Sequence, residues 1–70
     1  MEIRFAQSAR KHRIGKARVN YVMENNSYTV ISSQDEKKVQ WVWIAQDDRG
    51  LELEIVAVVL ELYLLVIHVM

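Results

Sequence analysis

The sequence predicts an α+β domain in the order β-α-α-β-β-β-β, an antiparallel four- to five-stranded sheet with one or two N-terminal helices packed on one face. Three observations carry this. Apolar residues from Ala6 to Met23 recur at helical intervals, and from Tyr28 onward runs rich in Val, Ile and aromatic residues are separated by polar turns. The third is Asp47-Asp-Arg-Gly50, a hairpin turn in which Gly50 can take positive φ. With 70 residues and no internal linker the chain reads as one domain, 1-70, comprising a basic helical segment at 6-24 and a sheet at 28-70.

Element by element, Glu2 to Phe5 alternates polar and apolar, with Ile3 and Phe5 on one face, as a short strand does. Ala6, Ala9, Ile14, Ala17 and Tyr21, flanked by Val19, Val22 and Met23, then follow helical spacing. Gly15 interrupts them. It either ends a first helix in the left-handed conformation or caps a second beginning near Lys16. Glu24-Asn-Asn-Ser27 reads as a loop, Tyr28 to Ser32 as a strand and Ser33 to Lys38 as a polar turn. Val39 to Gln46 is a strand whose Trp41 and Trp43 share a face and read as core. Leu51 to Leu60 begins as strict alternation, but from Ile55 both faces are apolar, as they are in Tyr63 to Met70 apart from His68. The run Ile55 to Met70 is rich in β-branched residues and shorter than the ~20 apolar residues a membrane helix needs, so it is expected to form strands and not to enter a membrane.

Net charge is zero, but its distribution is uneven. Residues 1–20 carry six basic groups against one acid, and residues 21–70 carry three against eight. Local potential governs encounter with phosphates, so the N-terminal segment is a candidate nucleic-acid contact, the alternative being a solvated helix face. With no Cys and two His, a disulfide framework or structural zinc site is not expected. Asp47, Asp48, Glu52 and Glu54 lack the spacing of a calcium loop and read as charges that discourage edge pairing. No metal or cofactor is expected. His68 reads as a partly buried, hydrogen-bonded histidine. Arg4 and the polar residues after it interrupt any signal-peptide pattern, so a cytoplasmic location is expected.

The stretch Arg10-Lys-His-Arg-Ile-Gly-Lys-Ala-Arg-Val19 resembles the Arg-Lys-His-Gly-Val-Ser-x-x-x-Ala segment of BrnT-like small toxins, relatives of the RelE ribonuclease toxins. Trp43 to Gly50 followed by Leu51 to Val59 is similar to that family's strand, turn and second strand, and Tyr63 to Val69 stands where a third follows. The resemblance implies the toxin half of a type II toxin–antitoxin pair. It implies an antitoxin protein as partner and RNA cleaved without metal, by attack of a ribose 2′-hydroxyl on the adjacent phosphate. It further implicates Arg10, Lys11 and His12, with Arg49 at the hairpin. By residue type, Lys11 and His12 are candidate proton-transfer groups and Arg10, Arg13 and Arg49 candidate phosphate clamps, and the basic clustering adds Lys16 and Arg18 as candidates for RNA binding.

Two features keep another class open. The carboxylates of the Asp47 hairpin and its following strand would repel phosphate, which suits a non-catalytic oligomerisation or partner-binding module that keeps the fold without the site. The absence of Pro admits a redesigned or rearranged version of such a protein. Assembly is expected in either case. A chain this short builds a small core, and one helical layer covers one face of a sheet whose last strands are apolar on both. A homodimer or larger homo-oligomer through Val56, Val58, Leu60, Leu65, Ile67 and Val69 would cover the other. Leu60-Glu-Leu-Tyr63 contains none of the residues that favour a tight turn, so exchange of the final strand between chains (domain swapping) is the bolder expectation.

Overall fold

The computed structural model describes residues 2–32 and 38–70. The described elements are β1 (Glu2–Phe5), a 3-10 turn (Gln7–Arg10), α1 (Lys16–Asn25), β2 (Thr29–Ser32), β3 (Val39–Gln46), β4 (Glu52–Val59) and β5 (Tyr63–Val69). They form one sheet in the order β1-β5-β4-β3-β2. The polar turn expected at Ser33 to Lys38 lies, apart from Lys38, outside the described residues.

The sheet corrects the antiparallel expectation. β2 to β5 pair antiparallel, but β1 runs parallel to β5, with Glu2 opposite Tyr63 and Phe5 opposite Val66. Three reversals along β2, β3, β4 and β5 leave β5 pointing the same way as β1. No hairpin joins β1 to a neighbour, so no local turn sets its direction; its pairing is decided some sixty residues away, where sequence pattern carries no signal. Of the one or two helices expected, one forms, and the β-α-α order is corrected because the first helical stretch is a single 3-10 turn. Gly15 is the N-cap of α1, at φ −64° and ψ 147°, and the left-handed residue of this loop is Arg13, at φ 55°.

α1 lies on one face of the sheet because Val19 and Val22, three residues apart on one side, are both fully buried. They pack with Ala9, Trp43, Leu53, Ile55, Ala57, Val66 and Val69. Each buried aliphatic side chain contributes about 1.5–3 kcal/mol of transfer free energy. The helix runs two residues into the predicted loop, taking in Glu24 and Asn25. Asn25 and Asn26 stop it by donating side-chain amide hydrogen bonds to the carbonyls of Tyr21 and Val22, at 2.8 and 2.9 Å.

The β3–β4 hairpin is as the sequence predicts, with Gly50 at φ 82°. The Asp47 amide donates to the Leu51 carbonyl at 2.8 Å, closing a three-residue loop that ends in a left-handed glycine. Between β4 and β5 the chain turns back on itself at Leu60 to Tyr63, the Leu60 amide donating to the Tyr63 carbonyl at 3.0 Å.

A register shift in β5 alters which side chains face the core. Val56 is opposite His68, yet Ala57 is opposite Val66, so Ile67 is an extra residue. Beyond it the alternation changes phase. Val69 joins the core, whereas strict alternation puts it with the interface candidates, and His68 takes the other face, its Nε2 3.3 Å from Glu54 Oε1. Of those candidates, Val56, Val58 and Leu65 do lie on the face away from α1, and Leu60 lies in the β4–β5 turn.

Candidate nucleic-acid interface

The site is built at one end of the sheet. β1 and β5 run towards that end, β3 finishes there and β4 starts there, because Phe5 pairs with Val66, Val69 with Ile55 and Gln46 with Glu52. The segment from Arg10 to Lys16 leaves β1 and the 3-10 turn at this end, and the hairpin carrying Arg49 closes it. The 3-10 turn is fastened to β5 through Ser8, whose hydroxyl donates to the Ile67 carbonyl at 2.7 Å, and through the Ala6 amide, which donates to the Val66 carbonyl at 2.9 Å.

Arg10, Lys11, His12, Arg13 and Lys16 are all exposed. Arg10 ends the 3-10 turn and its carbonyl accepts the Arg13 amide at 3.1 Å. Lys11 and His12 sit between them. Lys16 opens α1 with its ammonium 5.3 Å from the centroid of the Phe5 ring. A cation here opposes the helix dipole, as does Glu24 near the other end, each at a cost of about 0.3–1 kcal/mol. Helix stability therefore does not explain the basic residues.

Arg18 is differently employed. Its Nε and Nη2 both donate to Oδ2 of Asp47, at 2.8 and 2.7 Å. The Asp47 side chain is fully buried, and its Oδ1 accepts the amides of Arg49 and Leu51, each at 2.9 Å. Burial pushes this carboxyl up, but the Leu51 amide, the Arg18 guanidinium and the Arg49 amide together outweigh it and hold Asp47 below its ordinary range. Asp47 thus joins three things: it shapes the hairpin, ties it to the first turns of α1, and neutralises Arg18. Arg18, expected from its charge to contact RNA, is paired with Asp47 and through it links α1 to the hairpin that carries Arg49.

Sequence reading missed this anchor. An Asp three residues before a hairpin Gly is a recognisable turn signal, since the side chain can accept amides a few residues on. Its pairing with Arg18, however, spans twenty-nine positions.

The concave features lie elsewhere. An open cleft of about 670 Å³ is lined by Ile3, Met23, Tyr28, Trp41, Trp43 and Leu64, with Glu24 and Asn26 at its polar side. Tyr28 stacks on Trp41 with centroids 4.0 Å apart, and Trp43, 3% exposed, meets Trp41 edge-on. The buried Trp43 Nε1 has no hydrogen-bond partner among the described residues. A second cleft of about 650 Å³ lies between Tyr21 and Asn25 of α1 and Ile44 to Asp47. Among the described residues no cluster of three or more acidic or His side chains is placed to hold a metal ion, and no helix is long and apolar enough to cross a membrane.

Comparison with protein-family models, curated proteins and solved structures finds no match.

Proposed function

We propose that this chain binds RNA through the basic end of the sheet, as a toxin-like protein of the BrnT and RelE kind. The observation that supports it is the convergence of Arg10, Lys11, Arg13 and Lys16 with Arg49 at that end, the hairpin tied to α1 through Arg18 and Asp47. Exposed guanidinium and ammonium groups on a fixed frame neutralise successive phosphates, and the N-terminal end of α1 adds its positive dipole. In a cleavage reaction, one of Lys11 and His12 takes the proton of the 2′-hydroxyl as its oxygen attacks phosphorus. The other protonates the departing 5′-oxygen as the old ester bond breaks, and the arginines stabilise the negative charge of the transition state.

Crosslinking with ultraviolet light to labelled single-stranded RNA, with attachment sites mapped by mass spectrometry, tests the binding surface. Attachments confined to residues 10–18 and 49 support it, and attachments confined to Tyr28, Trp41 and Trp43 would refute it. Inducible expression tests cleavage. Growth arrest with cut messenger RNA, abolished by Lys11→Ala and His12→Ala, supports an endoribonuclease, and normal growth at high expression leaves a binding protein.

A second reading, a self-associating or partner-binding module, draws support from the apolar sheet face away from α1. The two readings use opposite parts of the molecule and are compatible. An antitoxin partner would cover the basic end with acidic residues, leaving that sheet face for a second copy.

A further inference from the structure

The face of the sheet away from α1 is apolar in its middle except for Gln40 and for His68, which stands beside Val56, and it is charged at its ends. Val42, Val56 and Leu65, each part-buried, form its centre together with Val58, which is buried at 8% exposure. They alternate with the core residues Trp43, Ile55, Ala57 and Val66, and the register sets Val42 beside Val56 and Val58 beside Leu65. Ile44 and Ile31 extend this centre to β3 and β2 and are 62% and 47% exposed. At the end where β4 begins lie Glu52 and Glu54. Towards the opposite end, beside Leu65, lies Arg4, whose guanidinium pairs with Glu2 and covers the Tyr63 ring at 4.3 Å.

We propose that a second copy of this chain packs on this face, with the two-fold axis running across the strands. This rests on the self-association reading above and fixes its geometry. β4 is the middle strand, so an axis along the strands would lay Glu52 and Glu54 over the same residues of the other copy, and like charges in an interface oppose pairing. An axis across the strands reverses one copy end for end. Val56 and Val42 then meet their own equivalents near the axis, and Glu54 is turned towards the Arg4 end of the other copy. An arginine has five donors, so Arg4 can hold Glu2 and a second carboxylate together.

The area suffices. Three strands of seven or eight residues and two of four, at about 3.3 Å per residue and 4.8 Å between strands, present a flat footprint of roughly 500 Å² per chain. The pair then buries roughly 1,000 Å² before side-chain relief is added, where specific interfaces begin.

Light scattering during size exclusion at micromolar concentration, with sedimentation equilibrium for affinity, tests the proposal. A dimer is expected for the unmodified chain, and Ile44→Lys should make it monomeric while the near-ultraviolet dichroism of Trp43, on the opposite face, stays unchanged. Should that signal be lost, Thr29→Lys on the exposed edge strand replaces it with the same expected outcome. Glu54→Gln should weaken the dimer several-fold, and added salt should weaken the unmodified dimer. A monomeric unmodified chain overturns self-association altogether. A dimer indifferent to the lysine variants overturns this face. A dimer strengthened by Glu54→Gln or by salt overturns the orientation of the axis while leaving self-association standing.

Discussion

Arg13 holds φ at 55°, a conformation that costs an L residue roughly 1–2 kcal/mol and costs glycine nothing. Its side chain is exposed, and no packing in the described structure requires an arginine there. A strained residue kept for its charge fits a phosphate contact. Arg13→Gly should raise unfolding stability by about 0.5–1 kcal/mol once the extra freedom of glycine in the unfolded chain is deducted, and should weaken RNA binding. Denaturant unfolding and fluorescence anisotropy measure the two effects, and weaker binding without lost stability separates function from folding.

Asp47 makes the opposite case. Its folded carboxyl titrates below the ordinary value, so its contribution to stability is complete above an unfolded pKa of about 3.9 and is lost as pH falls through the lower folded value. Asp47→Asn should therefore destabilise the chain at pH 7, with the difference from the unmodified protein shrinking in acid. Thermal unfolding across pH checks the sign. A deficit that grows on acidification would show that the carboxylate is not held by Arg18 and the two amides.

Among the elements, β5 shows how far a sequence pattern reaches. Its apolar run is legible, yet alternation misplaces every side chain beyond Ile67, because one inserted residue inverts the facing of all that follow. With His68 and Val69 exchanged between faces, the strand reads as apolar on both sides; with the bulge, it buries Leu64, Val66 and Val69 and presents His68 to Glu54. Deleting Ile67 removes the extra residue, so that simple alternation then keeps His68 beside Glu54 and Val69 in the core. That variant should keep a cooperative thermal transition, since Leu64, Val66 and Val69 still fill the core. Loss of the cooperative transition would mean that Ile67 is not simply an extra residue that resets the facing.

At the scale of the whole molecule, local signals found what local forces make. The Asp47 to Gly50 hairpin, the paired tryptophans and the α1 periodicity were all legible because turns, strand faces and helix faces are decided within a few residues. The parallel pairing of β1 with β5 and the Arg18–Asp47 pair were not, because each joins residues far apart in the chain. The candidate site divides in the same way. Charge clustering marked Arg10 to Lys16 correctly as an exposed basic segment, but charge alone could not distinguish Arg18, which the fold employs, from its solvent-facing neighbours. Whether the basic end contacts phosphates is read from the salt dependence of its binding to single-stranded RNA. Four phosphate contacts by Arg10, Lys11, Arg13 and Lys16 give a slope of about −3 in log affinity against log salt, and replacing Arg10 and Lys11 with Ser should flatten it by about 1.4. Binding absent at low salt, or a slope unchanged in the double variant, would rule such contacts out.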